Sequence, residues 1–561
     1  MSTSSFLTIP ASMFPDQEIL VFEGKRFSYA RLLERVNRLA NGLSRLGVGR
    51  GDRIAILQTN SNQYVETYYA ASKLAATFVP LNYRAKRAEL KYMVETAGAR
   101  VLLFGDRYAD LALSLRSELP SVEHWIALEA GGSSRGYGLN HQDTRNTMGH
   151  EDGHPQNLGA PSYLSGYACS TELEGMLNFE ELVRSSPDDE IEVEPEGDDV
   201  NVLMFTSGTS GVPKGVLLTY DDFAGFVFET VEAADGTPRG ATLISAPLYH
   251  IAGLTSVMTS TFGGRRMVMA RQFEPKEWLR LVQEERVTHA FLVPTMLKKL
   301  LDEPDLRTAD LSSLEILSYG SAPMPLPVIR KAIELFPKKV GFINAFGQTE
   351  TTSTVAMLQP DDHRLEGTPE EIERKVRRLA SIGRPLPDID LRIVDDSGQD
   401  LPPGQVGEIL LRTPRLMKGY AGQSDLTEQT LVDGWIRTRD LGWIDDGGYI
   451  FLAGRKDDLI IRGGENIAPA EIETVLQAHP AVEEAAVIGC PDEQWGETVM
   501  AVLVLRSGAA VSAGEIQQFC RERLASFKKP ERVVFVDALP RNPLGKVIKK
   551  ELKARYAAGR G

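Results

Sequence analysis

Cysteine is scarce in this chain. Only three cysteines, Cys169, Cys490 and Cys520, occur among its 561 residues, and no two of them form a C-x-x-C pair. So widely spaced a set indicates neither a disulfide framework nor a cysteine zinc site. It is typical of a protein kept in a reducing compartment, and we expect a cytoplasmic location.

Long apolar runs and an excess of basic charge are also missing. No uninterrupted apolar stretch approaches the roughly 20 residues that span a bilayer, and residues 1–16 lack the basic and apolar regions of a secretory signal. The formal net charge is −15, whereas nucleic acids are bound by clustered Lys and Arg. We expect no nucleic-acid partner, no transmembrane segment and at most a peripheral membrane contact.

The composition that remains is ordinary for a globular protein, with 42% apolar and 25% charged residues. Short apolar runs at 53–57, 78–81, 101–104 and 202–205 alternate with stretches of helical periodicity, such as 64–76. Strands that alternate with helices predict an α/β fold with a parallel sheet.

Two segments divide the chain. Residues 131–175 are rich in Gly, Ser, Asn and His and poor in periodic apolar residues, which predicts a surface insertion. Beyond 454–458 the pattern of helices and strands restarts. The sequence therefore predicts an N-terminal domain over 1–453, a hinge at 454–458 and a compact α+β domain over 459–561.

A dense string of hydroxyls and glycines follows the predicted strand at 202–205. It reads Thr206-Ser207-Gly208-Thr209-Ser210-Gly211-Val212-Pro213-Lys214-Gly215. Glycines let the backbone N–H groups approach a polyphosphate, and hydroxyls and a lysine add donors and charge. The string is not a Walker A loop, because Lys214 is followed by glycine and a second strand. It predicts a phosphate-binding loop.

This string resembles the phosphate loop of the adenylate-forming (AMP-binding) superfamily, and the resemblance continues in order over nearly the whole chain. Within the superfamily the chain looks like an acyl-CoA synthetase or fatty-acid–CoA ligase. The resemblance implies a large N-terminal domain of several subdomains and a small, mobile α+β C-terminal domain. It also implies ATP, Mg²⁺ and coenzyme A as cofactors or cosubstrates.

Further motifs carry the nucleotide site of that family. Phe346 would stack near adenine where the family has Tyr, Thr349 would contact the α-phosphate, and Glu350 would hold Mg²⁺. Asp440 would accept hydrogen bonds from both ribose hydroxyls. The resemblance assigns nucleotide binding to Thr206, Ser207, Gly208, Thr209, Ser210, Gly211, Lys214, Gly320, Ser321, Ala322, Pro323, Asn344, Ala345, Phe346, Gly347, Gln348, Asp440 and Arg455.

The C-terminal motifs concern the hinge and the second half of the reaction. The resemblance makes Asp457 the pivot, and it places Gly463 and Gly464 beside a pantetheine arm. Lys546 would bridge the attacking carboxylate and the α-phosphate, where a cation stabilises developing negative charge. One departure is Arg439, which stands where the family has glycine.

The acid is constrained only loosely. His250 stands where amino-acid-activating relatives carry Asp, so we expect no α-amino acid, and His250 is a candidate catalytic residue at the mouth of the acyl pocket. The other pocket candidates are mostly apolar and show no cation for a second carboxylate: Tyr249, Ile251, Thr295, Met296, Leu297 and Tyr319.

The leading hypothesis is ATP-dependent activation of a fatty or aryl acid to acyl-AMP, followed by transfer to CoA. Alternatives are a ligase that loads the phosphopantetheine of a carrier protein, a luciferase-like oxidase, and a non-catalytic nucleotide sensor with the same fold. We expect a monomer or homodimer whose partners are small molecules.

Overall fold

The computed structural model describes residues 2–128, 175–206, 213–463, 465–541 and 546–556. The predicted insertion at 131–175, except its last residue, lies outside these ranges. So do residues 207–212 of the predicted phosphate loop, Gly464, and the turn at 542–545.

The described chain contains strands throughout its length. They are β1 (Glu18–Phe22), β2 (Lys25–Ser28), β3 (Arg53–Leu57), β4 (Thr77–Pro80), β5 (Val101–Phe104), β6 (His124–Ala127), β7 (Leu177–Asn178), β8 (Val200–Thr206), β9 (Lys214–Thr219), β10 (Ala241–Ile244), β11 (Arg266–Met269), β12 (His289–Leu292), β13 (Ile316–Gly320), β14 (Gly341–Gln348), β15 (Ser353–Leu358), β16 (Arg384–Pro385), β17 (Asp390–Val394), β18 (Gly407–Arg412), β19 (Gly419–Tyr420), β20 (Leu431–Val432), β21 (Trp435–Ile444), β22 (Ile450–Arg455), β23 (Ile460–Arg462), β24 (Glu465–Ile467), β25 (Val482–Asp492), β26 (Gly496–Leu505) and β27 (Arg532–Phe535).

Helices connect these strands. They are α1 (Ser5–Met13), α2 (Tyr29–Arg45), α3 (Asn62–Lys73), α4 (Arg87–Ala97), α5 (Ala109–Ser114), α6 (Phe179–Ser185), α7 (Tyr220–Thr230), α8 (Ile251–Phe262), α9 (Pro275–Glu284), α10 (Pro294–Asp302), α11 (Leu326–Leu335), α12 (Pro360–His363), α13 (Pro369–Arg378), α14 (Ser424–Thr430), α15 (Pro469–Gln477), α16 (Ala513–Arg521) and α17 (Lys549–Tyr556). Among the residues described, no helix combines the length and the apolarity needed to cross a bilayer.

Two large sheets form the N-terminal part. One has the strand order β16-β15-β14-β13-β12-β10-β11-β1-β2, and the other has the order β19-β9-β8-β4-β3-β5-β6-β7. Their central strands are parallel, and antiparallel strands lie at their edges, β15, β16 and β2 in the first sheet and β9 and β19 in the second. The predicted α/β class with parallel sheet is confirmed, and the antiparallel edges add to it.

One apolar core joins the two sheets. It contains Leu20 of the first sheet, Phe78 of the second, and residues of α2, α3 and α8. Every residue of α3 is buried, and its N-cap Ser61 accepts a hydrogen bond from the Tyr64 backbone N–H. The helix predicted at 64–76 ends at Lys73 instead, because the chain turns at Ala75, whose φ is +49°.

Two smaller sheets complete the molecule. The first has the order β17-β18-β21-β20, with β22 paired to β21, and the second has the order β24-β23-β26-β25, with β27 paired to β26. The second sheet and the helices α15 and α16 surround apolar residues such as Ile472 and Ile516, and α17 contributes Leu552 to a separate cluster against the same sheet. This is the small α+β C-terminal domain that the sequence predicts.

Candidate active site

The site begins where two neighbouring parallel strands end. Pairing of β13 with β14 sets Gly320 opposite Ala345, so the 320–323 turn and the 344–348 segment lie at one edge of the sheet. A Cβ on Gly320 would lie 2.1 Å from the Ala345 carbonyl oxygen, and one on Gly347 would lie 1.8 Å from the Ser353 carbonyl oxygen. A side chain at either position would clash with the backbone. Close packing therefore explains both glycines, and they are not by themselves evidence of a nucleotide-binding site.

Glu350 lies directly after β14, in the 3₁₀ turn Thr349–Thr351. The Tyr420 hydroxyl donates a 2.9 Å hydrogen bond to Glu350 Oε1. Lys214 Nζ lies 5.4 Å from the centroid of the Tyr420 ring. Tyr420 thus connects the lysine of the phosphate loop to the carboxylate that the sequence assigns to Mg²⁺.

The environment keeps the Tyr420 phenol protonated. Burial and the nearby Glu350 carboxylate raise the pKa of Tyr420 well above its usual value, because both disfavour a phenolate. The hydroxyl therefore remains a donor at physiological pH.

A buried arginine supports the same turn. The Arg415 side chain is 1% exposed and forms an ion pair with Asp388, with Nε 2.7 Å from Oδ2. Its guanidinium also donates to the backbone carbonyls of Thr351 and Thr354, each at 2.9 Å. It holds the chain where Thr352 adopts a φ of +49°. The sequence analysis did not identify Arg415 or Tyr420 as site residues. Their only signal in the sequence is that both polar side chains belong to the string R-L-M-K-G-Y at 415–420.

Asp440 is a buried carboxylate on β21, with 6% of the residue exposed. Gln348 Nε2 donates to its Oδ2 at 2.8 Å, and Arg455 Nε lies 2.8 Å from its Oδ1. Three residues that the sequence places far apart therefore meet, which links the 344–348 segment to the hinge. The ribose contact assigned to Asp440 stays a prediction.

Lys546 reaches this group from the C-terminal domain. Partial desolvation by neighbouring groups and the positive charge of Arg455 lower its pKa, while the carboxylates of Asp440 and Asp458 oppose the shift, and the residue stays exposed to solvent. Lys214, from the other side, contributes to lowering the pKa of Asp457. Lys214 and Lys546, which the sequence assigns to phosphate binding and to catalysis, therefore both influence carboxylates near the hinge, Asp457 in the first case and Asp440 and Asp458 in the second.

His250 is the N-cap residue of α8. Burial, with a smaller contribution from Arg84, lowers its pKa to about 3, so its imidazole is neutral at physiological pH. Its Nε2 is buried and has no hydrogen-bond partner within the described part of the chain. The Tyr249 ring lies 4.2 Å from the imidazole, centroid to centroid.

Two predicted pocket residues lie in an apolar core. Leu297 and Tyr319 are fully buried in the core of the first sheet, and the Tyr319 hydroxyl is 2.8 Å from His363 Nε2. Neither side chain lines the cleft between the domains, and their assignment to the acyl pocket stays a prediction. Thr295 and Met296 do line a cleft.

The cleft has a volume of about 340 Å³ and lies between the two domains. Thr295 and Met296 contribute from the large domain, and Glu484 and Arg541 contribute from the small one. An ion pair between Lys298 and Glu483 closes one side. Five basic side chains and one acidic side chain line it: Arg84, Arg271, Lys298, Lys299 and Arg541, and Glu484. Three of the basic groups are paired with carboxylates, Arg271 with Glu23, Lys298 with Glu483 and Arg541 with Glu484.

The AMP-binding enzyme model matches residues 8–421, and the AMP-binding enzyme C-terminal domain model matches 471–546. The chain belongs to the AMP-binding enzyme family.

Named members of this family are similar along their whole lengths. A feruloyl-CoA synthase of Amycolatopsis sp is 34% identical over 97% of this chain and 97% of that protein. ScoC of Streptomyces coeruleorubidus, a fatty acid–[acyl-carrier-protein] ligase, is 31% identical over 97% of this chain and 94% of that protein. ATP-bound MatB from Rhodopseudomonas palustris superposes with a TM-score of 0.82 at 26% identity, covering 99% of each chain. Like its AMP-binding relatives, this chain is an AMP-forming acid–thiol ligase.

The described residues fit ATP and a magnesium ion. Magnesium prefers oxygen ligands, and it is commonly held by one or two carboxylates together with substrate phosphates. Glu350 supplies one carboxylate, and Lys214 lies on the other side of Tyr420. The described ranges contain no cluster of three or more His, Cys, Asp or Glu that could hold a metal by itself.

Proposed function

We propose that the protein activates a fatty or aryl carboxylic acid with MgATP to an acyl-adenylate and transfers the acyl group to CoA. One observation carries the proposal. Tyr420 joins the phosphate-loop Lys214 to the Glu350 carboxylate, and the C-terminal Lys546 interacts electrostatically with Arg455 and Asp440, which pair with each other. This combines a phosphate clamp with a cation on a separate, small domain.

In the first half-reaction the acid's carboxylate attacks the α-phosphorus and pyrophosphate leaves. Lys214 and the 206–211 loop hold the phosphates, and Thr349 contacts the α-phosphate. Lys546 neutralises charge that grows as the new P–O bond forms. A magnesium ion held by Glu350 would screen the phosphate charges and orient the leaving group.

In the second half-reaction the thiol attacks the mixed anhydride and AMP leaves. We propose that the small domain rotates about Asp457, which withdraws Lys546 and brings Gly463 and Gly464 beside the adenylate. A hinge of a few residues can absorb such a rotation. One site then serves two reactions in turn.

The basic cleft supports CoA as the acceptor. CoA carries a 3′-phosphate and a diphosphate beyond its pantetheine arm, whereas the arm of a carrier protein carries a single phosphodiester. The net positive charge that remains along the cleft after its three ion pairs suits the more highly charged acceptor. The relationship to ScoC keeps a carrier protein as the second candidate.

The neutral His250 supports an acid without a second charge. A buried imidazole with a pKa of about 3 offers no cation for another carboxylate. Named relatives act on aryl and aliphatic acids, as feruloyl-CoA synthase and the long-chain-fatty-acid–CoA ligase FadD13 of Mycobacterium tuberculosis indicate. A cytoplasmic location, and a monomer or homodimer, stay predictions.

The decisive experiment is a panel of fatty, cinnamic and indolyl acids assayed for acid-dependent ATP–pyrophosphate exchange. Each active acid is then assayed for AMP release with CoA, dephospho-CoA, pantetheine or a holo carrier protein. We expect exchange with at least one acid, and AMP release that is fastest with CoA. Exchange without CoA-dependent AMP release would favour the carrier protein, and no exchange with any acid would favour a nucleotide sensor.

Lys546→Ala tests the division of labour between the two domains. We expect pyrophosphate exchange to fall by about 10²-fold or more, since one charge at the transition state is removed. Thioester formation from supplied acyl-adenylate should stay within a few-fold of the wild-type rate. Equal losses in both half-reactions would contradict the alternation.

A further inference from the structure

Arg439 adopts a backbone conformation that suits glycine. Its φ is +59°, in the left-handed region that costs an ordinary residue about 1–2 kcal/mol. The family that the sequence resembles has glycine at this position. The Arg439 side chain makes a compensating contact with the hinge.

The guanidinium forms a forked ion pair with Asp457. Arg439 Nε lies 2.9 Å from Asp457 Oδ2 and 3.1 Å from its Oδ1, and Nη2 also contacts Oδ1. This hydrogen bonding is the largest cause that lowers the pKa of Asp457 and raises that of Arg439. Two-point contacts of this kind fix orientation as well as distance.

The neighbouring hinge residues are bound to the large domain in the same way. Arg455 Nε lies 2.8 Å from Asp440 Oδ1, and Lys456 Nζ lies 2.8 Å from Asp396 Oδ1. The three pairs are Arg455 with Asp440, Lys456 with Asp396, and Asp457 with Arg439. Three consecutive side chains therefore hold the hinge in the arrangement in which Lys546 approaches Asp440.

We propose that Arg439 is a positioning residue that latches the hinge in the adenylate-forming arrangement. The inference rests on the proposed rotation about Asp457, since a change in the backbone there turns its carboxylate away from Arg439. Breaking the pair would raise the share of molecules in the thioester-forming arrangement.

The size of the effect follows from exposure. The Arg439 and Asp457 side chains are 55% and 23% exposed, and exposed pairs contribute about 1 kcal/mol or less. That is about a five-fold change in an equilibrium constant. The latch therefore tunes the balance between the two half-reactions and leaves the overall fold unaffected.

The test is Arg439→Asn, because Asn tolerates the left-handed conformation and removes only the ion pair. We expect pyrophosphate exchange to slow by about two- to five-fold, and thioester formation from supplied acyl-adenylate to quicken by a similar factor. Arg439→Lys keeps one charge–charge contact, so its rates in both half-reactions should lie between those of the wild type and those of Arg439→Asn. In an Asp457→Asn background, Arg439→Asn should have no further effect.

Arg286 provides a matched control. It is also an arginine with positive φ, at +49°, and it forms an exposed ion pair with Asp310 at 3.0 Å, away from the hinge. Arg286→Asn should leave both half-reactions unchanged. Parallel losses in the two half-reactions of Arg439→Asn, or no change in either, would overturn the latch.

Lys546→Ala separates this failure from a failure of the proposed alternation. If Lys546→Ala slows pyrophosphate exchange but not thioester formation, and Arg439→Asn leaves the ratio of the two rates unchanged, only the latch is wrong. If Lys546→Ala slows both half-reactions equally, the alternation itself is wrong, and the latch is wrong with it.

Discussion

At the scale of single residues, the phenol of Tyr420 connects the two ends of the phosphate site. It donates to Glu350 and lies under the ammonium group of Lys214. A hydrogen bond to a charged acceptor contributes about 1.5–3 kcal/mol. The bond also fixes the orientation of the Glu350 carboxylate, so its second oxygen is held in place to bind a metal ion.

Tyr420→Phe removes this hydrogen bond and little volume. We expect pyrophosphate exchange at limiting MgATP to fall about ten-fold or more, because the Glu350 carboxylate is no longer oriented. The measurement is the MgATP dependence of exchange. Tyr449→Phe is the matched control, since the buried Tyr449 donates an equivalent 2.8 Å hydrogen bond to the carboxylate of Asp362, a residue with no assigned role in the site. Similar kinetics for the two variants would exclude a specific role for Tyr420.

At the scale of elements, the turn after β14 depends on a side chain from the loop that precedes β19. Arg415 donates to carbonyls of that turn and is itself neutralised by Asp388. The turn carries Thr349 and Glu350, and residues with positive φ follow it directly. Strained backbone persists only where its surroundings hold it in place.

Arg415→Met should destabilise the protein by about 3–5 kcal/mol, because it leaves the buried Asp388 carboxylate without its partner. Pyrophosphate exchange should fall as well, because the turn loses its support. Urea unfolding and exchange measure the two effects. Arg412→Met is the control: Arg412 pairs with Asp390 at 2.7 Å, and both side chains are more than half exposed, so its loss should cost less than about 1 kcal/mol. Equal stability losses would contradict this account.

At the scale of the whole molecule, buried histidines govern the response to acid. Burial lowers the pKa of His250 to about 3, and it lowers the pKa values of His289 and His363 to about 4. Between about pH 4 and 6.5 the unfolded chain binds protons at these imidazoles and the folded protein does not. Stability therefore falls as the pH drops through this range.

We expect the free energy of unfolding to change little between pH 7 and 8 and to decrease below about pH 6.5, by up to about 1.4 kcal/mol per pH unit for each histidine. Asp222 offsets part of this loss, because burial raises its pKa to about 6 and the folded state gains a proton there. Urea unfolding between pH 4.5 and 8 measures the slope. His363→Gln should make it shallower, and an unchanged slope would contradict the assignment.

Contiguous strings in the sequence determined much of the chemistry. The α/β class follows from residue order and local periodicity, because a turn or a strand depends mainly on neighbouring residues. The string of hydroxyls and glycines predicts a phosphate loop, whereas the roles of Thr349 and Glu350 come from the resemblance to the family and stay predictions. Roles at 207–212 and Gly464 lie outside the described residues and stay predictions. The boundaries of the helices and strands shifted by a few residues where a positive φ ended them, as at Ala75.

Only the tertiary structure decided which distant residues meet. Tyr420 bonds to Glu350, Arg415 supports the same turn, and Arg439 holds Asp457. These contacts join residues that are distant in the chain, so they depend on how the sheets and the two domains pack and not on patterns among neighbouring residues. The sequence shows that Arg439 replaces the glycine of the family. Its proposed role depends on the ion pair with Asp457, which is 18 residues away in the chain, and on the position of the hinge in the folded protein.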